Sequence, residues 1–395
     1  MISVAIFGFG VVGSGTAEVL YENQKLIAER VGEEIDVKYI LDLRDFPESR
    51  FSGKIVHDIN IILNDPDVRI CAELMGGSHP AFEFSSAALK AGKSVVTSNK
   101  EVVANFGPEL LALAAENKVH YLFEASVGGG IPLLHPISAC LTANELSSVC
   151  GILNGTTNYI LGQMTNAGKT FAEALAEAQE KGYAERDPSA DIEGLDACRK
   201  TAILGALAYG KLVPTDKIPT VGITKLTLED CLSARKLGGE IKLIGRAAKN
   251  GDGSLSLSVG PTFVPDADPL AHVNDVFNGV KISGNAVGDV MFYGRGAGKL
   301  PTASAVVSDI IEIASGRAIK RSPWLRAEEK DLAKENGANR FFVRLDKNIP
   351  VPDELCEKSL SDAIGTAFLS SPVTKEKLDA FFAEAGVSAS CLPIL

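Results

Sequence analysis

Residues 8–13 read Gly-Phe-Gly-Val-Val-Gly, directly after the apolar run 4–7 and directly before a stretch with helical spacing. Three glycines in this order, between a strand and a helix, point to the first βα turn of a dinucleotide-binding fold. Gly8 permits the tight turn, Gly10 lets backbone approach a pyrophosphate, and Gly13 lets the helix lie against the strand. The pyrophosphate would then rest on the positive end of that helix. The bare pattern is a weak signal, and a tight turn needed only for packing is the alternative. Its place in the opening βα unit gives it weight.

The alternation continues downstream. Residues 37–41, 69–74, 94–97 and 120–123 are short β-type runs, and 12–30, 79–91 and 101–117 carry helical spacing. This βαβ order predicts an α/β fold over residues 1–134, a parallel, doubly wound Rossmann sheet with helices on both faces. Over residues 135–298 the pattern changes to helical stretches at 155–182, 192–210 and 227–236, then β-like runs at 240–249, 254–261 and 289–293. That order predicts an α+β substrate-binding domain whose sheet is a candidate subunit interface. Segment 299–320 is expected to return to the first domain, 321–339 to be a charged linker, and 340–395 to form a small β/α appendage.

At 395 residues the chain is too long for one core, which predicts two or three domains. With 46% apolar and 23% charged residues, the composition is that of an ordinary soluble protein and not of a disordered one. A net charge of −11 with no Lys/Arg run speaks against a nucleic-acid partner. Seven scattered cysteines without a C-x-x-C pair, and five histidines, predict reduced thiols and no zinc site. No apolar run reaches the ~18–20 residues needed to span a membrane, and no charged segment precedes the first strand. A cytoplasmic enzyme or binding protein with small-molecule ligands is the expectation.

Four polar segments stand out beside the glycine loop. The second strand ends Asp42-Leu43-Arg44-Asp45, where an acid would bind a ribose 2′-hydroxyl and an arginine a 2′-phosphate. Arg44, helped by Lys54, tilts the reading towards NADP, while NAD and a merely solvated loop stay open. Thr97-Ser98-Asn99-Lys100 ends a strand at the ligand edge of the sheet, where Lys100 can reach a nicotinamide ribose or a substrate. A helix cap followed by a surface lysine is the other reading. Segment 124–132 holds three consecutive glycines, whose carbonyls can close round a monovalent cation or whose freedom can serve a hinge. Asn154-Gly155-Thr156-Thr157-Asn158 precedes a helix and could line a pocket or cap that helix, capping being its simplest role.

The densest charge lies at 178–200, with Glu185, Asp187, Asp191, Glu193, Asp196 and Lys200 around Pro188 and Gly194. Asp196 and Lys200 are spaced i,i+4 and so share a helix face. The apolar run TAILGALAYG follows, which places Lys200 where a helix enters a core. A lysine held there can have its pKa shifted and serve in proton transfer. An ordinary helix ion pair is the plain alternative.

Taken together, GFGVVG, TSNK, EASVGGGIP, GILNGTTNYI, the run 178–200 and GAGKLPTASAVVSD closely resemble the homoserine dehydrogenases, over residues 1–320. The resemblance implies reversible NAD(P)H-dependent reduction of L-aspartate 4-semialdehyde to L-homoserine, a step towards threonine, methionine and isoleucine. It puts Lys200 at the catalytic lysine position and makes Lys100 a second lysine at the reacting oxygen. It assigns Glu185, Asp191 and Asp196 to the substrate. It assigns Gly8, Phe9, Gly10, Val12, Gly13, Arg44, Gly76, Ser98, Lys100 and Gly298 to NADP or NAD. Glu124, Val127, Gly129 and Ile131 would hold a monovalent cation, sodium, largely through backbone oxygens. A homodimer or higher homo-oligomer through the second-domain sheet is implied as well.

The chemistry of these roles is self-consistent. Hydride delivery to an aldehyde builds negative charge on its oxygen, which an ammonium can stabilise and protonate. An acidic pocket suits an α-ammonium group. Longer members of the family carry an ACT-type regulatory domain for threonine feedback. RFFVRL at 340–345 resembles its first strand, yet 340–395 is short for a complete ACT-like module. No kinase-like extension precedes the first strand, so fusion to an aspartate kinase is not expected.

Two other functions compete. Oxidation of a semialdehyde to an acyl phosphate needs an activated cysteine with a nearby histidine. Cys140 and Cys150 alone lie near the domain junction, and neither sits in a nucleophile-like motif. A catalytically silent nucleotide sensor would have no need of Lys100, Asp196 and Lys200 together.

Overall fold

A computed structural model describes residues 1–319, 321–333, 338–363 and 365–395. Internal contacts divide the chain into two units: Met1–Val149 with Ala202–Lys217 and Ile282–Glu329, and Cys150–Thr201 with Ile218–Lys281 and Lys330–Leu395.

In the first unit six strands, β1 (Ile2–Phe7), β2 (Ile35–Leu41), β3 (Ile55–Val56), β4 (Val68–Glu73), β5 (Ser94–Thr97) and β6 (Tyr121–Leu122), form one sheet in the order β3-β2-β1-β4-β5-β6. Every pairing is parallel. All six residues of β1 are buried, which is why 4–7 read as a continuous apolar run: helices cover both faces of a parallel sheet. Strand order reverses between β1 and β4, and ligands of such sheets bind at the carboxyl ends beside that switch point. The core on one face joins Val4, Ile6, Ile40 and Ile70 to Val306 and Ile310 of the helix Lys299–Ala314. The doubly wound expectation holds. The predicted helix 12–30 is two helices, Val11–Glu22 and Gln24–Val31, with Asn23 ending one and starting the next.

A five-stranded sheet runs in the order Leu255–Pro265, Gly239–Lys249, Leu146–Ile152, Phe277–Gly284, Gly288–Arg295, the first two paired antiparallel along their full length. The sequence reading missed the strands at 146–152 and 277–284. Their serines, asparagine and glycines read as turn formers, and burial between neighbours overrides that preference.

In the second unit the predicted helix 155–182 is broken into Gly155–Ala167 and Phe171–Glu180. Gly168 ends the first in the left-handed region (φ 67), and a Thr170/Glu173 capping box starts the second. Gly194 (φ 82) likewise separates the short helix Ser189–Ile192 from Leu195–Tyr209.

The C-terminal segment is a four-stranded antiparallel sheet in the order Cys356–Asp362, Gly365–Ser370, Phe341–Leu345, Ala389–Pro393, covered by the helix Lys375–Ala385. Val343, Leu345, Phe368, Leu378 and Phe382 form its core. Between Phe341–Leu345 and Cys356–Asp362 stands only a 3-10 turn, Asp353–Leu355. The rest of the second unit meets this sheet directly. Phe342 stacks on Phe263 at 5.5 Å, Arg344 Nε donates to Asp230 at 2.6 Å, and Lys358 Nζ donates to the Leu237 carbonyl at 2.8 Å. Of the expected linker 321–339, residues 334–337 lie outside the described residues, as does residue 320 of the expected return segment. Among the described residues no helix is long and apolar enough to cross a membrane.

Candidate active site

In the first unit the glycine loop turns from β1 into the helix Val11–Glu22. Gly8 has φ +91, and a Cβ there would lie 2.8 Å from Met75 Cγ. A Cβ on Gly13 would lie 2.0 Å from the Gly8 carbonyl oxygen, whereas one on Gly10 would meet nothing within 4 Å. The first and third glycines therefore answer packing, and the second leaves an open cradle. No side chain caps the helix that follows, so its N-terminal amides face that cradle. This arrangement fits a dinucleotide pyrophosphate. Phe9 is buried and Val12 half-buried beside it.

Asp42 follows β2 and accepts from Phe9 N at 2.8 Å, Arg44 N at 3.1 Å and Arg44 Nε at 3.0 Å. Burial pushes its carboxyl up, but the bonds from Arg44 and Phe9 outweigh it and hold the group below the usual range. The Arg44 guanidinium lies 4.6 Å over the Phe46 ring. Lys54 does not join it, contrary to the sequence reading. Its Nζ binds both Asp36 oxygens at 2.9 Å, near the start of β2, while Asp42 and Arg44 follow its end.

Glu73 ends β4 and is fully buried. Its carboxylate accepts from Met75 N at 2.9 Å and from Thr97 Oγ1 at 2.7 Å, and Thr97 Oγ1 accepts from Asn99 N at 2.9 Å. Asn99 in turn donates to the Gly77 carbonyl at 2.7 Å and caps the helix Lys100–Glu116 through Glu101 N and Val102 N. One carboxylate thus ties the loop holding Gly76 to the loop holding Ser98 and Lys100. Burial pushes Glu73 up to about 7, against the bonds from Thr97, Met75 and Asn99. The sequence reading passed it over; a lone acid closing the apolar strand VRICAE was the available signal. Gly76 is exposed, with nothing within 4 Å of an added Cβ, and Ser98 and Lys100 are half-buried. Gly298, at φ +133, starts the helix Lys299–Ala314.

The loop 124–131 is held shut by its own acid. Glu124 accepts from Leu133 N at 2.5 Å, Leu134 N at 2.8 Å and His135 N at 2.6 Å, at the start of the helix Leu134–Ala139. Its side chain is committed to those amides, which leaves its carbonyl as the group it can offer a cation. Gly129 has φ +54, and a Cβ there would lie 2.5 Å from the Gly296 oxygen. Among the described residues no hydrogen-bond donor reaches the carbonyls of Val127, Gly129 and Ile131. Carbonyl oxygens without donors are the kind of ligand a hard cation takes. Asp309 accepts from Glu124 N at 2.9 Å, and burial, with Glu124 beside it, raises its carboxyl well above the usual range.

In the second unit the charged run folds so that Asp196 and Lys200 enter the interior, 4% and 8% exposed. Lys200 Nζ donates to Asp196 Oδ2 at 2.7 Å and to the Leu153 carbonyl at 2.8 Å. Asn154 Nδ2 donates to the same Asp196 oxygen at 2.9 Å and to Asp191 Oδ1 at 2.7 Å. Glu185 stands at the surface, where its carbonyl accepts from Gln179 Nε2 at 3.1 Å. An ammonium held by the Leu153 carbonyl and two carboxylates held by the Asn154 amide can bind an amino-acid substrate and deliver a proton.

A family model for homoserine dehydrogenase matches residues 132–311, and one for the homoserine dehydrogenase NAD-binding domain matches residues 8–124. A homoserine dehydrogenase of Synechocystis is 44% identical over 319 residues, 79% of this chain and 73% of that one. The chain belongs to the homoserine dehydrogenase family. The crystal structure of a homoserine dehydrogenase from Thiobacillus denitrificans superposes with a TM-score of 0.88 at 34% identity, covering 100% of this chain and 98% of the other. A hyperthermophilic archaeal homoserine dehydrogenase in complex with NADPH gives a TM-score of 0.69 at 28% identity, over 81% and 99% of the two chains. As a homoserine dehydrogenase, the chain is an NAD(P)-dependent oxidoreductase of amino-acid biosynthesis. Its reaction interconverts L-aspartate 4-semialdehyde and L-homoserine, as the sequence resemblance implied.

Proposed function

We propose that Lys200 protonates the aldehyde oxygen of L-aspartate 4-semialdehyde as it is reduced, and that Asp196 and Asp191 hold the substrate. The observation that carries this reading is the buried Lys200–Asp196 pair, fixed at 2.7 Å and braced on both sides by Leu153 and Asn154. Bound in the first unit, NAD(P)H supplies the hydride for the carbonyl carbon. Lys200 gives the proton that turns the carbonyl oxygen into the homoserine hydroxyl, and in the reverse direction it takes that proton back. Lys100, which the sequence resemblance puts at the reacting oxygen as well, serves in this reading as a second ammonium that steadies the growing negative charge. Glu185, on the surface of the second unit, would reach the substrate α-ammonium once substrate is bound.

For the cofactor, Gly8, Phe9, Gly10, Val12 and Gly13 hold the pyrophosphate, and Gly76, Ser98, Lys100 and Gly298 hold the nicotinamide half. Arg44 favours NADPH by pairing with a 2′-phosphate, and Asp42 keeps NADH usable by accepting from the ribose. The carbonyls of Glu124, Val127, Gly129 and Ile131 bind sodium. The second-domain sheet serves a homodimer in the cytoplasm, a setting in which seven free cysteines remain reduced. Following NADPH and NADH oxidation on addition of L-aspartate 4-semialdehyde tests activity and preference together. Faster turnover with NADPH is expected; no oxidation of either cofactor would overturn the reading.

A further inference from the structure

Asn154 was expected to cap a helix, and it does. Its Oδ1 accepts from Thr157 N at 2.9 Å and from Thr157 Oγ1 at 3.1 Å, at the start of the helix Gly155–Ala167. Capping uses only the oxygen of the amide. The nitrogen carries two hydrogens and spends both on acids, Asp191 at 2.7 Å and Asp196 at 2.9 Å. The residue is 5% exposed, so the bond to Asp196 is made in a largely dehydrated site, while Asp191 is half-buried. Its neighbour Leu153 supplies the carbonyl that holds Lys200 at 2.8 Å. Two consecutive residues therefore bind Asp191, Asp196 and Lys200, and the two carboxylates meet through a shared neutral donor.

We infer that Asn154 is a positioning residue of the reaction: its carboxamide nitrogen clamps Asp191 and Asp196, and through Asp196 it sets the position of the Lys200 ammonium. The inference rests on the roles of Asp196 and Lys200 proposed above. The geometry also explains why an amide stands here. A serine or aspartate would cap the helix equally well, but neither offers two N–H groups. An aspartate would add a third acid to the pair, and like charges disfavour one another's ionisation.

That difference separates the clamp from the cap. Asn154→Ser and Asn154→Asp both keep a capping oxygen and lose the two donors. With wild-type enzyme active on aspartate semialdehyde, each variant is measured for kcat, KM, NADPH affinity and thermal midpoint. Both are expected to bind NADPH with wild-type affinity and to lose roughly 30-fold or more in kcat/KM, with the larger share in kcat. Asn154→Asp is expected, in addition, to move the acid limb of the kcat/KM profile to higher pH by about one unit or more. Activity within about threefold of wild type in both variants would overturn the inference. So would an activity loss matched by loss of the folded state, which would leave Asn154 a cap and nothing more. A wild-type enzyme inactive on the semialdehyde would instead count against the proposed function.

Discussion

Lys200 and Asp196, one helical turn apart, share a 2.7 Å hydrogen bond in the interior of the second unit, and the carbonyl of Leu153 accepts a second hydrogen bond from Lys200. Exposed i,i+4 pairs of this kind contribute little to stability, whereas breaking a buried one leaves an uncompensated charge. Asp196→Ala should therefore lower unfolding stability by about 3 kcal/mol, read by urea denaturation. It should also reduce kcat/KM by about a thousandfold. A variant as stable as wild type would show that the pair is no more than a surface ion pair.

Cofactor choice turns on Arg44 and Asp42. Arg44 is bound to Asp42 at 3.0 Å and must change partner when a 2′-phosphate arrives. Arg44→Ala should reduce kcat/KM for NADPH about 10-fold or more and leave the value for NADH within about twofold. Equal losses with both cofactors would place Arg44 outside the 2′-phosphate site.

Glu73 makes stability depend on pH. Burial lifts its carboxyl from 4.5 to about 7, so between those values the folded protein binds more protons at this site than the unfolded chain. The site's contribution is therefore full below the unfolded pKa and is lost as pH rises through the folded one. The loss is on the order of 3 kcal/mol. Glu73→Gln stays neutral and should gain stability relative to wild type between pH 5 and pH 8, measured by denaturant titration at each pH. Parallel curves for the two proteins would contradict the buried carboxylate.

Docking fixes the C-terminal sheet. Phe342 stacks on Phe263 and Arg344 binds Asp230 at 2.6 Å, and the stretch after its first strand forms only a 3-10 turn. An effector can shift activity only through an element with two arrangements of unequal affinity. L-threonine at roughly 10 mM should therefore leave the rate within about twofold. Strong, saturable inhibition by threonine would show that the sheet still responds to it.

Much of this was legible beforehand. Gly8, Gly10 and Gly13 carried the dinucleotide fold because backbone geometry alone demands glycine in that turn, and the spacing of Asp196 and Lys200 carried the buried pair. What stayed hidden depends on tertiary placement. Lys54 looked like a helper of Arg44 until pairing with Asp36 took it to the start of β2. Glu73 gave a single acid at a strand end, and only the approach of β5 joins it to Thr97. Asn154 showed one of its roles in sequence, the cap, because capping is local. The clamp bridges 37 and 42 residues and cannot be read from spacing.

The most direct test replaces Lys200 alone. In Lys200→Ala, folded by its thermal midpoint, NADPH affinity should stay within about threefold of wild type while kcat for semialdehyde reduction falls by about a thousandfold. A kcat within about tenfold of wild type would show that the proton comes from elsewhere and that the buried pair is structural.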